Sequence, residues 1–455
     1  TMAQAFFGGV HPHDMKAATN EKAIEQLAPP AVVVIPMSMH FGAPCTPLVK
    51  AGDHVKVGQK IGEFHGLGAP IHASVSGTVK AVEPRPYSMG GNITSVVIEN
   101  DMQDEVSEEL QAPADPNALS VEEMVEIVKN AGIVGMGGAT FPTHVKITSG
   151  IGKVNTVIIN GAECEPYITG DHRTMLERPE EIIGGAKFLA KMFGVDKVVI
   201  GVEDNKRNGI DAMNKVIAEQ KAPVVVEPLR CRYPQGGEKQ LCQAITGRQV
   251  PPGGLPADIG CAVFNINTTC AIYRALTTGM PVVRKIVTVS GSGVVEPKNL
   301  ECPIGTPVSS LLDACGGLKD GTYKLIAGGP MMGMAQYTAD ISVAKGTGAI
   351  LAFCENEEKT VENPQCIRCG KCVSVCPMHL EPLFMYQYAS KGMVEELNDA
   401  HIMDCMECGA CSYICPARMH LTHMFKTGKQ LVKDKAAADK AAAEAKKAAQ
   451  ELRND

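Results

Sequence analysis

The feature that most constrains this chain is a cysteine pattern that occurs twice near its C-terminal end. The two copies are Cys366-x-x-Cys369-x-x-Cys372-x-x-x-Cys376-Pro377 and Cys405-x-x-Cys408-x-x-Cys411-x-x-x-Cys415-Pro416. Two-residue gaps allow one loop to bring three thiolates around a small cage, while a fourth thiolate arrives from elsewhere. The pattern therefore predicts two 4Fe-4S clusters.

Each cluster is expected to draw its fourth ligand from the other copy of the pattern, as in ferredoxins with two clusters. The expected ligand sets are Cys366, Cys369, Cys372 and Cys415 for one cluster, and Cys405, Cys408, Cys411 and Cys376 for the other. Zinc is the alternative metal, because it also binds paired C-x-x-C motifs. A structural zinc site stops at four ligands, however, and does not need the repeated third cysteine and the following Cys-Pro.

Composition indicates a folded protein of several domains and gives no reason to expect nucleic acid as a partner. The chain has 455 residues, of which 45% are hydrophobic and 20% charged, and its formal net charge is −7. This length exceeds that of one hydrophobic core, and the negative charge disfavours anionic partners. No apolar run is long enough to span a bilayer, and no signal-peptide pattern is present. We expect a protein on the cytoplasmic side, attached to a membrane only through partners.

Secondary-structure patterns predict a multidomain α/β protein. Short alternating strands at 31–100 are typical of a barrel-sandwich β domain, but no lysine stands where a lipoyl or biotinyl group would be attached, in the stretch Gly68–Ala73. This domain is therefore expected to be structural. Ser120 and Glu123 predict a capping box at a helix start, and alternating strands and helices then predict a Rossmann-like domain with a parallel sheet.

The predicted parts follow one another without overlap. In chain order they are an N-terminal segment at 1–30, the β domain at 31–100, the α/β domain at 120–280, a compact α+β module at 284–354, a helical two-cluster domain at 360–425 and an Ala/Lys-rich tail at 433–455. The tail has strong helix formers but no apolar face, so it is expected to be a solvated or fraying helix.

Glycine-rich and polar loops in the α/β domain predict a ligand site. Residues 135–142 read GMGGATFP, which is dense enough in glycine for backbone amides to approach a phosphate or a flat ring, although a tight structural turn would also explain it. Polar residues follow the apolar strands in NGAECEP (160–166), YPQGGE (233–238) and NINT (265–268). Ligands in open α/β sheets bind at such strand ends.

The order of these motifs along the chain resembles that in two known protein families. GMGGATFPTHVK, NGAECEP with DHR, YPQGGEKQ and NINT together resemble the FMN- and NADH-binding subunit of respiratory complex I and, more closely, the RnfC family of the Rnf complex. The second resemblance covers nearly the whole chain, because the complex I protein has one cluster motif and lacks the N-terminal β domain. It implies a β-grasp, SLBB-like fold for residues 284–354.

The resemblance also implies non-covalent FMN, with NADH or NAD⁺ as substrate. The residues it implies for binding these are Gly135, Gly137, Gly138, Phe141, Lys146, Asn160, Glu163, Glu165, Gly236, Glu238, Asn265 and Thr268. Phe141 would stack on the nicotinamide nucleotide, and Glu165 would face the dinucleotide. The three glutamates would repel the extra phosphate of NADPH, so NADH is the expected substrate.

The resemblance implies that NADH gives a hydride to FMN and that electrons leave singly through the clusters, with the reverse direction also possible. The partners would be membrane Rnf subunits and a ferredoxin-like protein, and the chain would sit peripherally on the cytoplasmic face of the inner membrane. Two alternatives remain open from the sequence. One is a soluble reductase resembling cobalamin reductase, and the other is an electron-transfer scaffold without a working nucleotide site.

Overall fold

The computed structural model describes residues 6–355 and 361–454, with side chains up to residue 446. Residues 1–5 of the predicted N-terminal segment, residue 360 of the predicted cluster domain and residue 455 of the predicted tail lie outside this part. In the part of the chain that the structure describes, no helix is long and apolar enough to cross a membrane.

The N-terminal β domain consists of two small antiparallel sheets that enclose one core. Its strands are β2 (Val32–Pro36), β3 (Thr46–Pro47), β4 (His54–Val55), β5 (Lys60–Glu63), β6 (Ile71–His72), β7 (Gly77–Pro86) and β8 (Asn92–Asn100). One sheet has the order β2-β8-β7-β4 and the other β3-β5-β6. Successive side chains of a strand point to opposite faces, which places Val33 and Ile35 in the core with no exposed surface.

The α/β domain is a four-stranded parallel sheet with helices around it. Its strands are β9 (Thr156–Gly161), β10 (Val198–Glu203), β11 (Val224–Leu229) and β12 (Cys261–Asn265), in the order β11-β10-β9-β12. Its helices are α1 (Val121–Asn130), α2 (Thr143–Gly150), α3 (Gly170–Glu177), α4 (Pro179–Phe193), α5 (Arg207–Gln220), α6 (Glu238–Thr246) and α7 (Ile266–Thr278). The predicted capping box at Ser120 is confirmed, since its side chain accepts from the Glu123 amide and the Glu123 carboxylate accepts from the Ser120 amide.

The following α+β module is a mixed sheet with one helix. It contains β13 (Arg284–Ser290), β14 (Lys298–Pro303), α8 (Val308–Ala314), β15 (Thr322–Ala327), β16 (Met334–Gln336) and β17 (Ala349–Cys354). The sixth strand of this sheet is β1 (Ile24–Gln26), which pairs in parallel with β14. The N-terminal segment therefore joins a sheet that is remote along the chain, which the local sequence pattern does not predict.

The C-terminal domain is helical. Its helices are α9 (Lys371–Ser374), α10 (Pro382–Ser390), α11 (Val394–Asp399), α12 (Ala410–Ile414) and α13 (Leu421–Asn454). A small core of Met385, Leu397, Ile402 and Phe425 holds them together. The predicted tail is the end of α13, and its side chains at 433–446 are exposed, as expected for a helix without an apolar face.

The N-terminal segment also packs against the cluster domain, and substitution of Gly8 tests this contact. A β-carbon added at Gly8 (φ +74°) would lie 2.7 Å from the Val375 carbonyl oxygen, whereas one added at Gly52 (φ +93°) would meet nothing within 4 Å. Both substitutions by Ala carry backbone strain of about 1–2 kcal/mol. We expect only Gly8→Ala to speed hydrogen exchange of the Gly9 amide, which donates to Val375 O. Equal exchange in the two variants would contradict this contact.

Candidate cofactor sites

The glycine-rich loop lies between α1 and α2, beside the carboxyl end of β12. The Met136 amide donates to Thr268 Oγ1 at 2.9 Å. A β-carbon at Gly137 would lie 2.6 Å from Asn265 Nδ2, so only glycine allows this approach. A β-carbon at Gly138 would meet no atom within 4 Å, and one at Gly135 would meet only Phe141 backbone atoms, at 3.7 Å or more. The loop is thus fixed on one side and borders free space at Gly138.

Two further predicted motifs meet at the end of β9. Asn160 Nδ2 donates to the Gly236 carbonyl at 2.8 Å, and the Gly236 amide donates to Cys164 Sγ at 3.2 Å. Asn160 is also the register partner of Asn265 on the neighbouring strand β12. The structure therefore brings NGAECEP, YPQGGE and NINT to one edge of the sheet.

Asp171 is the centre of a partly buried polar network at this edge. Its carboxylate accepts from Asn265 Nδ2 at 2.7 Å and from Asn267 Nδ2 at 2.6 Å. Burial raises the pKa of Asp171, and the charge of Lys285 opposes this shift. Lys285 comes from β13 of the next domain, donates to the Met136 carbonyl at 3.0 Å and has its pKa lowered to about 8 by burial. Lys285 was not predicted, because a single lysine in a β-strand gives no sequence signal.

Glu163 holds the start of α3. Its carboxylate accepts from the Asp171 amide at 2.6 Å, and the carboxyl groups of both residues are buried. Lys16 of the N-terminal segment lies behind this loop and donates to the carbonyls of Glu163 and Glu165, each at 3.0 Å, and to that of Ile168. Lys16 thereby fixes the NGAECEP loop.

Glu165 is held by the loop at 328–333, which reads GGPMMG. Its carboxylate accepts from the amides of Met331 and Met332 at 3.1 and 3.0 Å. A β-carbon at Gly329 would lie 2.2 Å from Glu165 Oε2, so the loop closes tightly over the carboxylate. Burial raises the pKa of Glu165 to about 7. The structure therefore places Glu165 against this loop, where it is engaged internally.

Lys146 and Glu238 form an ion pair near the end of β12. Lys146 Nζ lies 2.6 Å from Glu238 Oε1 and 3.0 Å from the Val263 carbonyl oxygen. The side chain of Glu238 is 39% exposed, against 4% for Glu163. Of the two, Glu238 alone is open to a ligand or to solvent.

The eight cysteines of the repeated pattern line two separate cavities. Cys366, Cys369, Cys372 and Cys415 line the first, and Cys376, Cys405, Cys408 and Cys411 line the second. These are the two sets that the sequence predicts. The first set is open, with Cys366 and Cys369 exposed, whereas three cysteines of the second set are buried. Burial raises the pKa of Cys408 and Cys411 to about 12, so these thiols are neutral until a metal replaces the proton.

The backbone around the two cavities repeats the same conformation. Positive φ angles occur at Arg368 and Glu407, two residues after the first cysteine of each motif, and at Gly370 and Gly409, after the second. The amides of Arg368 and Glu407 donate to Cys366 Sγ and Cys405 Sγ at 3.3 and 3.4 Å. Amide donors to the sulfurs and four converging cysteines are the features that an iron–sulfur cage needs. Both donor sets fit such a cluster.

The YPQGGE loop joins the second cavity to the α/β domain. Tyr233 Oη donates to the Cys408 carbonyl at 2.6 Å, and Gln240 Nε2, in the first turn of α6, donates to the Pro377 carbonyl at 3.4 Å. Gln235 is buried, and its Nε2 has no hydrogen-bond partner among the described residues. A buried donor without a partner, next to the Asn160–Gly236 contact, fits a bound group that carries carbonyl oxygens.

Comparison with protein families confirms the predicted types of domain and their order. Residues 4–103 match the RnfC barrel sandwich hybrid domain, 128–274 the Nuo51 FMN-binding domain, 286–335 the SLBB domain and 359–416 a 4Fe-4S dicluster domain. Together the fold and these matches define an iron–sulfur flavoprotein.

Relatives identify the family. The chain is 45% identical over 401 residues to the C subunit of the Na⁺-translocating ferredoxin:NAD⁺ oxidoreductase complex of Acetobacterium woodii, covering 88% of this chain and 90% of that protein. The C subunit of the proton-translocating ferredoxin:NAD⁺ oxidoreductase complex of Clostridium ljungdahlii is 43% identical, with 88% of each chain covered. The corresponding protein of the Rhodobacter capsulatus ion-translocating oxidoreductase complex is 41% identical, over 82% of this chain and 73% of that one. The chain therefore belongs to the RnfC family.

The free space at Gly138 generates a prediction about flavin binding. Gly138→Ala adds a methyl group that meets no protein atom within 4 Å, so we expect the melting temperature of the flavin-free protein to be unchanged. FMN content after reconstitution should fall, because the methyl group occupies the space beside the loop. Gly348→Ala, also without a neighbour within 4 Å, is the matched control and should retain FMN. Full FMN content in Gly138→Ala would show that the flavin does not lie against this loop.

Proposed function

We propose that this chain oxidises NADH at a bound FMN and delivers the electrons through two 4Fe-4S clusters to the other subunits of an Rnf complex. The observation that carries the proposal is the position of the loop at 233–238. It contacts Asn160 at the expected flavin edge through Gly236 and the second cysteine set through Tyr233. One loop thus links the two proposed redox sites within the chain.

The residues proposed to hold FMN surround the free space at the sheet edge. Gly137 and Gly138 would present backbone amides, whereas the Gly135 amide donates to the Phe141 carbonyl at 2.9 Å and would shape the loop. Asn160, Asn265 and Thr268 hold Gly236, Asp171 and Met136, and would thereby position the loops around the flavin. The start of α7 lies here as well, and a helix N-terminus favours a phosphate group. Lys146 lies near the end of β12, where its positive charge is paired with the carboxylate of Glu238. FMN, when bound, supplies the conversion between two-electron and one-electron transfer.

Glu238 is proposed to favour NADH over NADPH. Glu163 is occupied with the start of α3 and Glu165 with the amides of the loop at 328–333, so their carboxylates are engaged internally. Glu238 remains partly exposed at the site. Its negative charge would oppose a second phosphate on the nucleotide.

The two cysteine sets have different positions, and we propose that they act in sequence. Cys376, Cys405, Cys408 and Cys411 adjoin the loop at 233–238, so the cluster on this set would exchange electrons with the flavin. Cys366 and Cys369 are exposed, so the cluster on the other set would exchange electrons with a partner. Both clusters are one-electron carriers, which fits a chain between a flavin and a protein partner.

The names of the relatives support a proposal about partners and location. These relatives are subunits of ion-translocating complexes, and two of them are named for ferredoxin and NAD⁺. We propose that this chain is held at the cytoplasmic face of the membrane by the other subunits and that a ferredoxin is the ultimate redox partner. The cobalamin-reductase alternative is not favoured, because the barrel-sandwich domain stands at the N-terminal end and matches the RnfC family.

Cofactor analysis tests the proposed function directly. Protein purified without oxygen should contain about eight iron and eight sulfide ions and one FMN per chain. NADH should bleach both the flavin and the cluster absorbance, and NADPH should do so much more slowly. Zinc in place of iron would refute the clusters. Iron without flavin, and without any response to NADH, would leave only an electron-transfer scaffold.

A further inference from the structure

The barrel-sandwich domain reaches the glycine-rich loop through the segment that connects β2 and β3. The Phe41 amide in this segment donates to the Thr140 carbonyl at 3.0 Å. Thr140 belongs to the glycine-rich loop and has a positive φ of 52°. The sequence predicts a structural role for this domain, but the contact places one of its side chains beside the proposed nucleotide site.

The segment around Phe41 has a fixed conformation. The Cys45 amide donates to the Met37 carbonyl at 2.7 Å and closes the loop at its base. His40 Nε2 lies 3.0 Å from the Ala43 carbonyl oxygen, within hydrogen-bond distance. Gly42 has φ +126°, and a β-carbon there would lie 2.0 Å from the Leu67 carbonyl oxygen. These contacts hold the backbone of the segment, so the position of the Phe41 α-carbon does not depend on a ligand.

The ring of Phe41 is nevertheless largely uncovered. The residue is 56% exposed, although the backbone of its segment is held in place. Its ring centroid lies 5.9 Å from that of Phe141, with an interplanar angle of 34°. Two aromatic rings at this distance attract each other and present a joint surface. Phe141 follows Gly138 closely in the same loop, which borders free space at that glycine.

We propose that Phe41 and Phe141 form one aromatic wall on which the adenine base of the dinucleotide stacks. The inference rests on the proposed NADH site and extends it to a residue of a second domain. Hydride transfer requires the nicotinamide ring to lie against the flavin, so the nicotinamide is engaged at the sheet edge. The adenine ring is the other flat group of the ligand, and an exposed aromatic pair at the outer side of the loop suits it.

Binding of ADP-ribose, which lacks the nicotinamide, tests this wall without any redox reaction. Calorimetry on flavin-loaded protein should show affinity lowered ~5- to 100-fold by Phe41→Ala, the range for loss of one base–aromatic stack. Phe41→Tyr should keep wild-type affinity, because the ring is retained. Tyr337→Ala removes an aromatic side chain that is 76% exposed elsewhere and should have no effect.

Steady-state kinetics with NADH and with NMNH distinguish a contact to the adenine half of the nucleotide from a contact to the nicotinamide half. Phe41→Ala should raise KM for NADH by the same factor as it weakens ADP-ribose, with kcat unchanged, and should not alter kcat/KM for NMNH, which has no adenine. Wild-type protein that oxidises NADH but does not bind ADP-ribose would overturn the aromatic wall, whereas the absence of any response to NADH would contradict the proposed NADH function itself. If wild-type protein binds ADP-ribose and Phe41→Ala binds it with the same affinity, only the proposed role of Phe41 in the aromatic wall is overturned. Weaker use of NMNH by this variant would overturn the assignment to adenine.

Discussion

The contact on which the rest of the structure depends is the docking of the cluster domain onto the loop at 233–238. The Tyr233 hydroxyl donates to the carbonyl of Cys408, and Tyr233 is buried, so the hydrogen bond is shielded from water. The same loop contacts Asn160 through Gly236. A shift of this loop would change the distance between the flavin edge and the buried cysteine set. The proposed electron path therefore requires this contact to be rigid.

Three of the buried lysines link separate domains or segments of the chain. Lys16, Lys285 and Lys345 are 4%, 4% and 1% exposed, and each donates to backbone carbonyls of a different part of the chain. Lys16 fixes the loop after β9, Lys285 fixes Met136, and Lys345 donates to Pro70 and Gly132 at 2.7 Å each. Burying an ammonium group is costly, and hydrogen bonds to carbonyls offset this cost only if their geometry is maintained. Lys16 and Lys285 thus each hold one loop in place, and Lys345 holds two.

Features encoded over short distances in the sequence could be predicted, and those that depend on distant contacts could not. The cysteine spacing predicts which four cysteines share each cavity, and Ser120 with Glu123 predicts the helix start that the structure confirms. The strand at 24–26 has no local signal, because it is stabilised by β14 across the chain. Burial of the Glu163 and Glu165 carboxylates depends on Lys16 and on the loop at 328–333, both remote in sequence. The position of Phe41 beside Phe141 could not be predicted either, because the two residues are remote in sequence.

The order of electron transfer through the two cysteine sets is the central claim, and EPR spectroscopy of NADH-reduced variants tests it most directly. In Cys366→Ser, NADH should still reduce the cluster at the buried set (Cys376, Cys405, Cys408 and Cys411) at the wild-type rate. The exposed set is Cys366, Cys369, Cys372 and Cys415. In Cys408→Ser, NADH should still reduce the flavin, but reduction of the cluster at the exposed set should become far slower. Rapid reduction of the exposed cluster in Cys408→Ser would contradict the account, because electrons would then bypass the loop at 233–238.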